Sequence, residues 1–176
     1  IGELPEYPTG SLFENRTELS NSGVHRPIQG GICGGADDAA ESICISGGYI
    51  DDVDLGGIII YTGQGAQNRD TKRQVADQKL TRGNEALRIS FEEQTPVRVV
   101  RGPKPKSTWT PNSGYRYDGL YWVTSFWHET GIDGYKIYRY RLEGSPPNDG
   151  QTASEPDAPR RRPITSNQII RDAALA

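Results

Sequence analysis

Tyr135-Lys136-Ile137-Tyr138-Arg139-Tyr140-Arg141-Leu142 is the stretch that decides the fold class. Successive side chains of a strand point to opposite faces, so Tyr138, Tyr140 and Leu142 share one face and Arg139 and Arg141 the other. Working upstream, Leu120 to Trp127 and Val97 to Arg101 read as further strands. Ile58 to Thr62, opened by Gly56-Gly57, is a β-branched run suited to burial on both faces. Ser42-Ile43-Cys44-Ile45-Ser46 alternates polar and apolar before Gly47-Gly48 breaks it. Helix formers with Val75, Ala76 and Leu80 at compatible spacings predict a helix over about Arg73 to Leu80, and Asn84 to Ile89 a further helical turn beyond Gly83. The sum is an α+β domain with a curved, largely antiparallel sheet and a few short helices.

The chain has 176 residues, enough for one well-cored domain with tails. Ile1 to Ser22 is polar and aperiodic and reads as a leader, with the domain proper expected over 22–145. After Glu143 the composition turns to Gly, Ser, Pro and Arg, including Arg160-Arg161-Arg162-Pro163, so 146–176 reads as a linker. Ser166 to Leu175 then reads as the start of a helix leading to a further domain. The longest apolar run, Ile58 to Tyr61, is far short of the roughly 20 residues of a membrane span, so no membrane partner is expected.

Two cysteines (Cys33, Cys44) and two isolated histidines (His25, His128) supply no zinc motif, and two free thiols are favoured over a disulfide. The Gly-rich strings Gly30-Gly31-Ile32-Cys33-Gly34-Gly35 and Thr62-Gly63-Gln64-Gly65 lack the ending of a P-loop, and Asp51, Asp52 and Asp54 lack a calcium-loop pattern. Neither histidine stands where it would mark a base beside a nucleophile, so no catalytic residue, metal or cofactor is assigned. The formal charge of −3 is unlike that of a typical nucleic-acid binder. That average conceals a division: 37–54 holds six acids and no base, whereas 94–117 holds Arg98, Arg101, Lys104, Lys106 and Arg116 and no acid. Local field steers an anionic ligand more than net charge does.

Several strings recur in a fixed order: Gly23-Val24-His25-Arg26-Pro27, Gly47-Gly48-Tyr49-Ile50-Asp51-Asp52-Val53-Asp54, Tyr61-Thr62-Gly63, Asp77-Gln78-Lys79-Leu80, Pro96-Val97-Arg98-Val99, and Gly114-Tyr115-Arg116-Tyr117-Asp118-Gly119-Leu120-Tyr121. Together, over about Ser22 to Leu142, they closely resemble the SET- and RING-associated (SRA, or YDG) domain. That resemblance implies a PUA-like half-barrel that binds double-stranded DNA and turns a modified cytosine out of the stack. Flipping costs a few kcal/mol of stacking and pairing, which the pocket must return.

By resemblance, Tyr49 and Tyr61 would sandwich the base, each stacking contact worth about 1–3 kcal/mol. Asp52 would accept from the exocyclic amine, and the backbones of Thr62 and of Ser46, Gly47 and Gly48 would complete the polar edge. Gly31 and Gln64 would lie near the C5 substituent. Two loops would enter the grooves: one with Gln29 and Gly30 at its tip, the other within 64–73, carrying Thr71, Lys72 and Arg73. Tyr117-Asp118-Gly119 is expected to fix a turn between strands, and Cys33 to be a small core residue. The second loop is shorter than in eukaryotic hemimethylated-CpG readers and has threonine where they carry asparagine. Gln64 replaces their serine.

These departures look more like the bacterial SRA domains that precede an HNH nuclease, and Arg162-Pro163-Ile164 to Gln168-Ile169-Ile170-Arg171-Asp172 resembles the join into one. The resemblance thus implies the targeting module of a modification-dependent restriction endonuclease, in the bacterial cytoplasm and without catalytic activity of its own. It would recognise 5-methyl- or 5-hydroxymethylcytosine and could form a homodimer through the nuclease. A chromatin-type reader of hemimethylated CpG and a β module that binds no DNA are the alternatives.

Overall fold

The structure is a computed structural model and describes residues 1–103 and 107–147. Lys104 and Lys106 lie outside the described residues, as does nearly all of the expected linker and the whole expected helix over Ser166 to Leu175. The core is an eight-stranded mixed sheet of order β2-β3-β6-β7-β8-β5-β4, with β1 paired to β7. The strands are β1 (Leu12–Phe13), β2 (Ile32–Cys33), β3 (Ser42–Ile45), β4 (Val53–Asp54), β5 (Ile58–Thr62), β6 (Pro96–Arg101), β7 (Tyr115–Thr130) and β8 (Lys136–Glu143). Only β3 and β6 run parallel among these pairs, which the long crossover through β4, β5 and helix α2 (Arg82–Glu93) permits.

Strand β7 is 16 residues long and serves two neighbours: its first half pairs with β6 and its second half with β8. Register shifts between Arg98 and Val100 on β6 and between Val123 and Ser125 on β7 bend it, as extra bulged residues do, and give the sheet its curvature. The first shift falls at Tyr117-Asp118-Gly119, where Gly119 adopts φ +94°. These residues were expected to make a turn between strands. They form a bulge inside one strand instead, because a glycine in the left-handed region absorbs the extra residue without breaking the ladder.

The helix expected over Arg73 to Leu80 does not form. Gln74 and Gln78 are buried there, and their amides bond the carbonyls of Gly65 (2.6 Å) and Gly63 (2.6 Å), which holds the segment irregular against the sheet. Helix formation starts later and runs longer: α2 spans Arg82–Glu93, burying Ala86, Leu87 and Ser90, and ends where Gln94 turns left-handed at φ 56°. Main-core residues such as Ile43, Ile59, Tyr61, Leu87, Val99 and Tyr140 fill the space between this helix and the sheet.

The first 21 residues, expected as a leader, are built into the domain. Helix α1 (Arg16–Ser22) is capped by Asn15, whose side chain accepts from the Glu18 N–H, and it buries Leu19. Phe13 and Leu19 form a second core cluster with Val24, Val100 and Tyr117. Buried Arg98 binds the carbonyls of Gly2 (2.8 Å), Gly23 (3.2 Å) and Val24 (3.0 Å), stapling this segment to β6. Cys33 and Cys44 are both buried free thiols. Among the described residues no helix is long and apolar enough to cross a membrane.

Candidate nucleic-acid interface

The acidic turn between β3 and β5 opens at Gly47, whose φ of +77° the missing Cβ permits, and returns through β4. Within it the Asp52 N–H donates to the Tyr49 carbonyl (3.3 Å), and Asp52 Oδ1 accepts the Thr62 N–H at the end of β5 (2.7 Å). Tyr49 is half-buried, and its hydroxyl accepts the Gly65 N–H (3.1 Å). The fold thus brings Tyr49, Asp52 and Thr62 together. Thr62 is 1% exposed, and its Oγ1 has no hydrogen-bond partner among the described residues. Thr62 is the register partner of Arg139 and Tyr61 that of Tyr140, so this hydroxyl lies on the face of β5 opposite the Tyr61 ring, and left without a partner it costs about 1–3 kcal/mol.

Tyr61 lies deeper, at 3% exposure, and burial pushes its hydroxyl well above the ordinary tyrosine range, with the nearby Asp52 charge adding to the effect. A Cβ on Gly31 would stand 2.5 Å from the Tyr61 hydroxyl, so only glycine fits there. Gly31 and Tyr61 are therefore neighbours. Gln64 exchanges two hydrogen bonds with Asn84 (2.8 and 2.9 Å), and its side-chain nitrogen, like Ile32, crowds the space a Cβ on Gly83 would fill. The Gln64 side chain thus meets Ile32, the residue after Gly31, over Gly83. Ser46 and Gly47 are exposed and form a rim, and the Gly48 carbonyl is held by the Gln67 side chain.

The turn is anchored from behind by a buried charge cluster. Arg101, 0% exposed, gives Nε to Asp54 Oδ2 (2.7 Å), Nη2 to Asp54 Oδ1 (2.9 Å) and the Gly56 carbonyl (2.8 Å), and Nη1 to Asp118 Oδ2 (2.9 Å). Burial opposes the Arg101 charge, yet the bond to Asp54 and the neighbouring charges hold its pKa above the ordinary arginine value. Asp118 also takes Arg116. The acidic side chain of Tyr117-Asp118-Gly119 thus joins β7 to Arg101 of β6. Nothing in the sequence pairs Arg101 with Asp54 across such a separation.

Both expected groove loops are tied down. In the first, Ile28 and Gln29 are exposed while the Gly30 carbonyl accepts from Arg16 Nη2 (2.7 Å) and His25 Nε2 (2.8 Å). A carbonyl only accepts, so His25 carries its proton on Nε2, and Nδ1 accepts from the Ser42 hydroxyl (2.7 Å). Burial lowers the His25 pKa to about 4, which keeps this arrangement neutral. In the second, Gln67 and Gln74 bridge, and Asn68 Oδ1 accepts the N–H groups of Asp70 (2.9 Å) and Thr71 (3.0 Å). Thr71, Lys72 and Arg73 are exposed at its end, with Lys72 at φ +60°. Arg73 is ion-paired with Asp133, a partner that no sequence signal had marked.

The SAD/SRA domain family matches residues 1–147, and the chain belongs to it. Among curated relatives, the E3 ubiquitin-protein ligase UHRF1 of Danio rerio is 39% identical over 173 residues, covering 86% of this chain and 22% of that protein. The chain therefore spans about a fifth of that relative's length. Among solved structures, a modification-dependent TagI restriction endonuclease has a TM-score of 0.78 and 42% identity, covering 81% of this chain and 51% of that one. The SUVH5 SRA domain bound to fully hydroxymethylated CG DNA has a TM-score of 0.71 and 39% identity, covering 91% of this chain and 99% of that one.

Proposed function

We propose that this domain recognises modified cytosine in duplex DNA by flipping the base into the recess formed by Tyr49, Asp52, Tyr61 and the backbone of Thr62. The observation that carries the reading is the bond from the Thr62 N–H to the Asp52 carboxylate, which sets that acid against the end of β5 next to Tyr61. The Asp52 carboxylate is suited to accept from a cytosine amine, which thymine lacks. Gly31 and Gln64 flank the recess where a C5 substituent would go, and Gln29, Gly30, Thr71, Lys72 and Arg73 would meet the grooves and phosphates. Kinship with an SRA domain bound to hydroxymethylated DNA supports the substrate class.

For its setting, we favour the targeting module of a bacterial, cytoplasmic, modification-dependent restriction endonuclease whose cleaving activity and dimerisation would reside in an HNH-type domain beyond residue 145. The likeness to the TagI endonuclease supports this. The likeness to UHRF1 favours the second reading, a chromatin-type reader. Fluorescence titration against duplexes carrying cytosine, 5-methylcytosine, 5-hydroxymethylcytosine or glucosylated cytosine tests the reading, in CG and non-CG contexts. Tighter binding of a modified duplex, lost in Asp52→Ala, is expected, and equal affinity for all four would sink it. Binding confined to CG would favour the chromatin reader.

A further inference from the structure

Resting on the base-flipping reading, we propose that the tip of the β7–β8 hairpin, residues 131–135, is a positioning element for DNA binding. In it Asp133 fixes Arg73 for a phosphate, and the same tip locks the pocket turn to the groove loop.

Three segments distant in sequence meet at this tip. Asp51, next to Asp52 in the pocket turn, accepts the Ile132 N–H through Oδ1 (3.1 Å), while its Oδ2 lies 3.0 Å from the point a Cβ on Gly131 would occupy. A side chain there would press on Asp51 and on Ile137, also 3.0 Å away. From the other side Asp133 Oδ2 accepts the Gln74 N–H (2.8 Å), and Oδ1 takes Arg73 through Nε and Nη2. Further along, Asp77 accepts the Lys136 N–H (2.8 Å), and the Gln78 N–H donates to the Lys136 carbonyl (2.9 Å). Gly134, at φ +85°, makes the tight turn that aims Asp133 back at the loop.

The pair differs from an ordinary surface salt bridge, which contributes little. The Asp133 side chain is only 6% exposed and also serves a backbone N–H, whereas the Arg73 side chain is 58% exposed. The carboxylate belongs to the fold and the guanidinium faces outward. Because Asp133 holds the Nε side of the guanidinium, a planar fork keeps its remaining N–H groups for a phosphate oxygen, with its rotamer already fixed. Bound at both ends, the tip keeps pocket turn and loop in one register while the base and the adjoining phosphates are engaged together.

The test compares the full chain with Asp133→Asn, Arg73→Ala and the double variant, titrating a 5-methylcytosine duplex over a range of salt and following amide exchange of 66–78. Asp133→Asn is expected to weaken binding about tenfold and to lower the salt slope by about one, as Arg73→Ala does. The double variant should bind no more weakly than either single one, and the 66–78 amides should exchange faster in Asp133→Asn. Unchanged binding in Asp133→Asn, losses that multiply in the double variant, or tighter binding with a steeper salt slope would each overturn the inference. A wild-type chain that fails to distinguish modified from unmodified duplex would instead remove the base-flipping reading, and this inference with it.

Discussion

Replacing Thr62 by valine separates the side chain of this residue from its backbone, the part proposed to meet the base. The Thr62 hydroxyl is buried and has no hydrogen-bond partner among the described residues, while the backbone N–H of the same residue is held by Asp52. Valine keeps the shape and the β-branched preference of a strand but removes the stranded polar atom. An unpartnered buried hydroxyl costs about 1–3 kcal/mol, of which the substitution should recover about 1 kcal/mol. In a domain of this size that raises Tm by about 3 °C. Because the hydroxyl lies on the Arg139 face of β5, opposite the Tyr61 ring, while the backbone that would meet the base is kept, affinity for a modified duplex should stay within about twofold of wild type, under about 0.5 kcal/mol. Thermal melting and fluorescence titration of the same preparation check both. A lower Tm would show that the hydroxyl is already satisfied in the free protein. A raised Tm with affinity reduced tenfold or more, above about 1.4 kcal/mol, would show that the side chain and not the backbone meets the base.

Arg101→Met leaves Asp54 buried without its partner and Asp118 with Arg116 alone, so stability should fall by about 3–5 kcal/mol and Tm on the order of 10 °C; a melt within 2 °C of wild type, on the order of 0.5 kcal/mol, would show that the cluster is not structural. His25 is held at about 4 from an ordinary 6.5, so the unfolded chain binds the proton first as pH falls. The stability this arrangement gives is whole above the unfolded value and declines by roughly 3 kcal/mol between pH 6.5 and 4. Urea midpoints across that window should slope less in His25→Gln than in wild type, and equal slopes would count against a buried neutral histidine. Gly31→Ala would drive a methyl to within 2.5 Å of the Tyr61 hydroxyl and displace the ring, with an expected cost of about 1–3 kcal/mol and loss of modified-duplex binding. Titration and melting of that variant check it, and wild-type affinity would detach Tyr61 from the pocket.

Much of the sheet was legible because alternation and β-branched runs are local signals. Ile58–Thr62 is β5 as expected, and β8 runs from Lys136 to Glu143, one residue later than the alternation began and ended. Strand β7 reached from Tyr115 to Thr130 rather than from Leu120 to Trp127, because Gly119 bends the ladder where its composition reads as a turn. The 73–80 segment carries helix formers, yet the distant carbonyls that need Gln74 and Gln78 outweigh weak local propensity. Ordered motifs brought Tyr49, Asp52 and Thr62 to notice before any geometry. What supports them was not legible: Asp133 meets Arg73 from 60 residues away and Arg101 meets Asp54 from 47, and pairs at such separations leave no periodic trace.

The central claim, that a modified cytosine leaves the duplex for this recess, is tested most directly by 2-aminopurine placed next to a single 5-methylcytosine. Fluorescence should rise on binding as the neighbouring base unstacks, should stay low with the unmodified duplex, and should stay low in Asp52→Ala. Tight, modification-dependent binding with no change in 2-aminopurine fluorescence would contradict it, because the modification would then be read inside the stack.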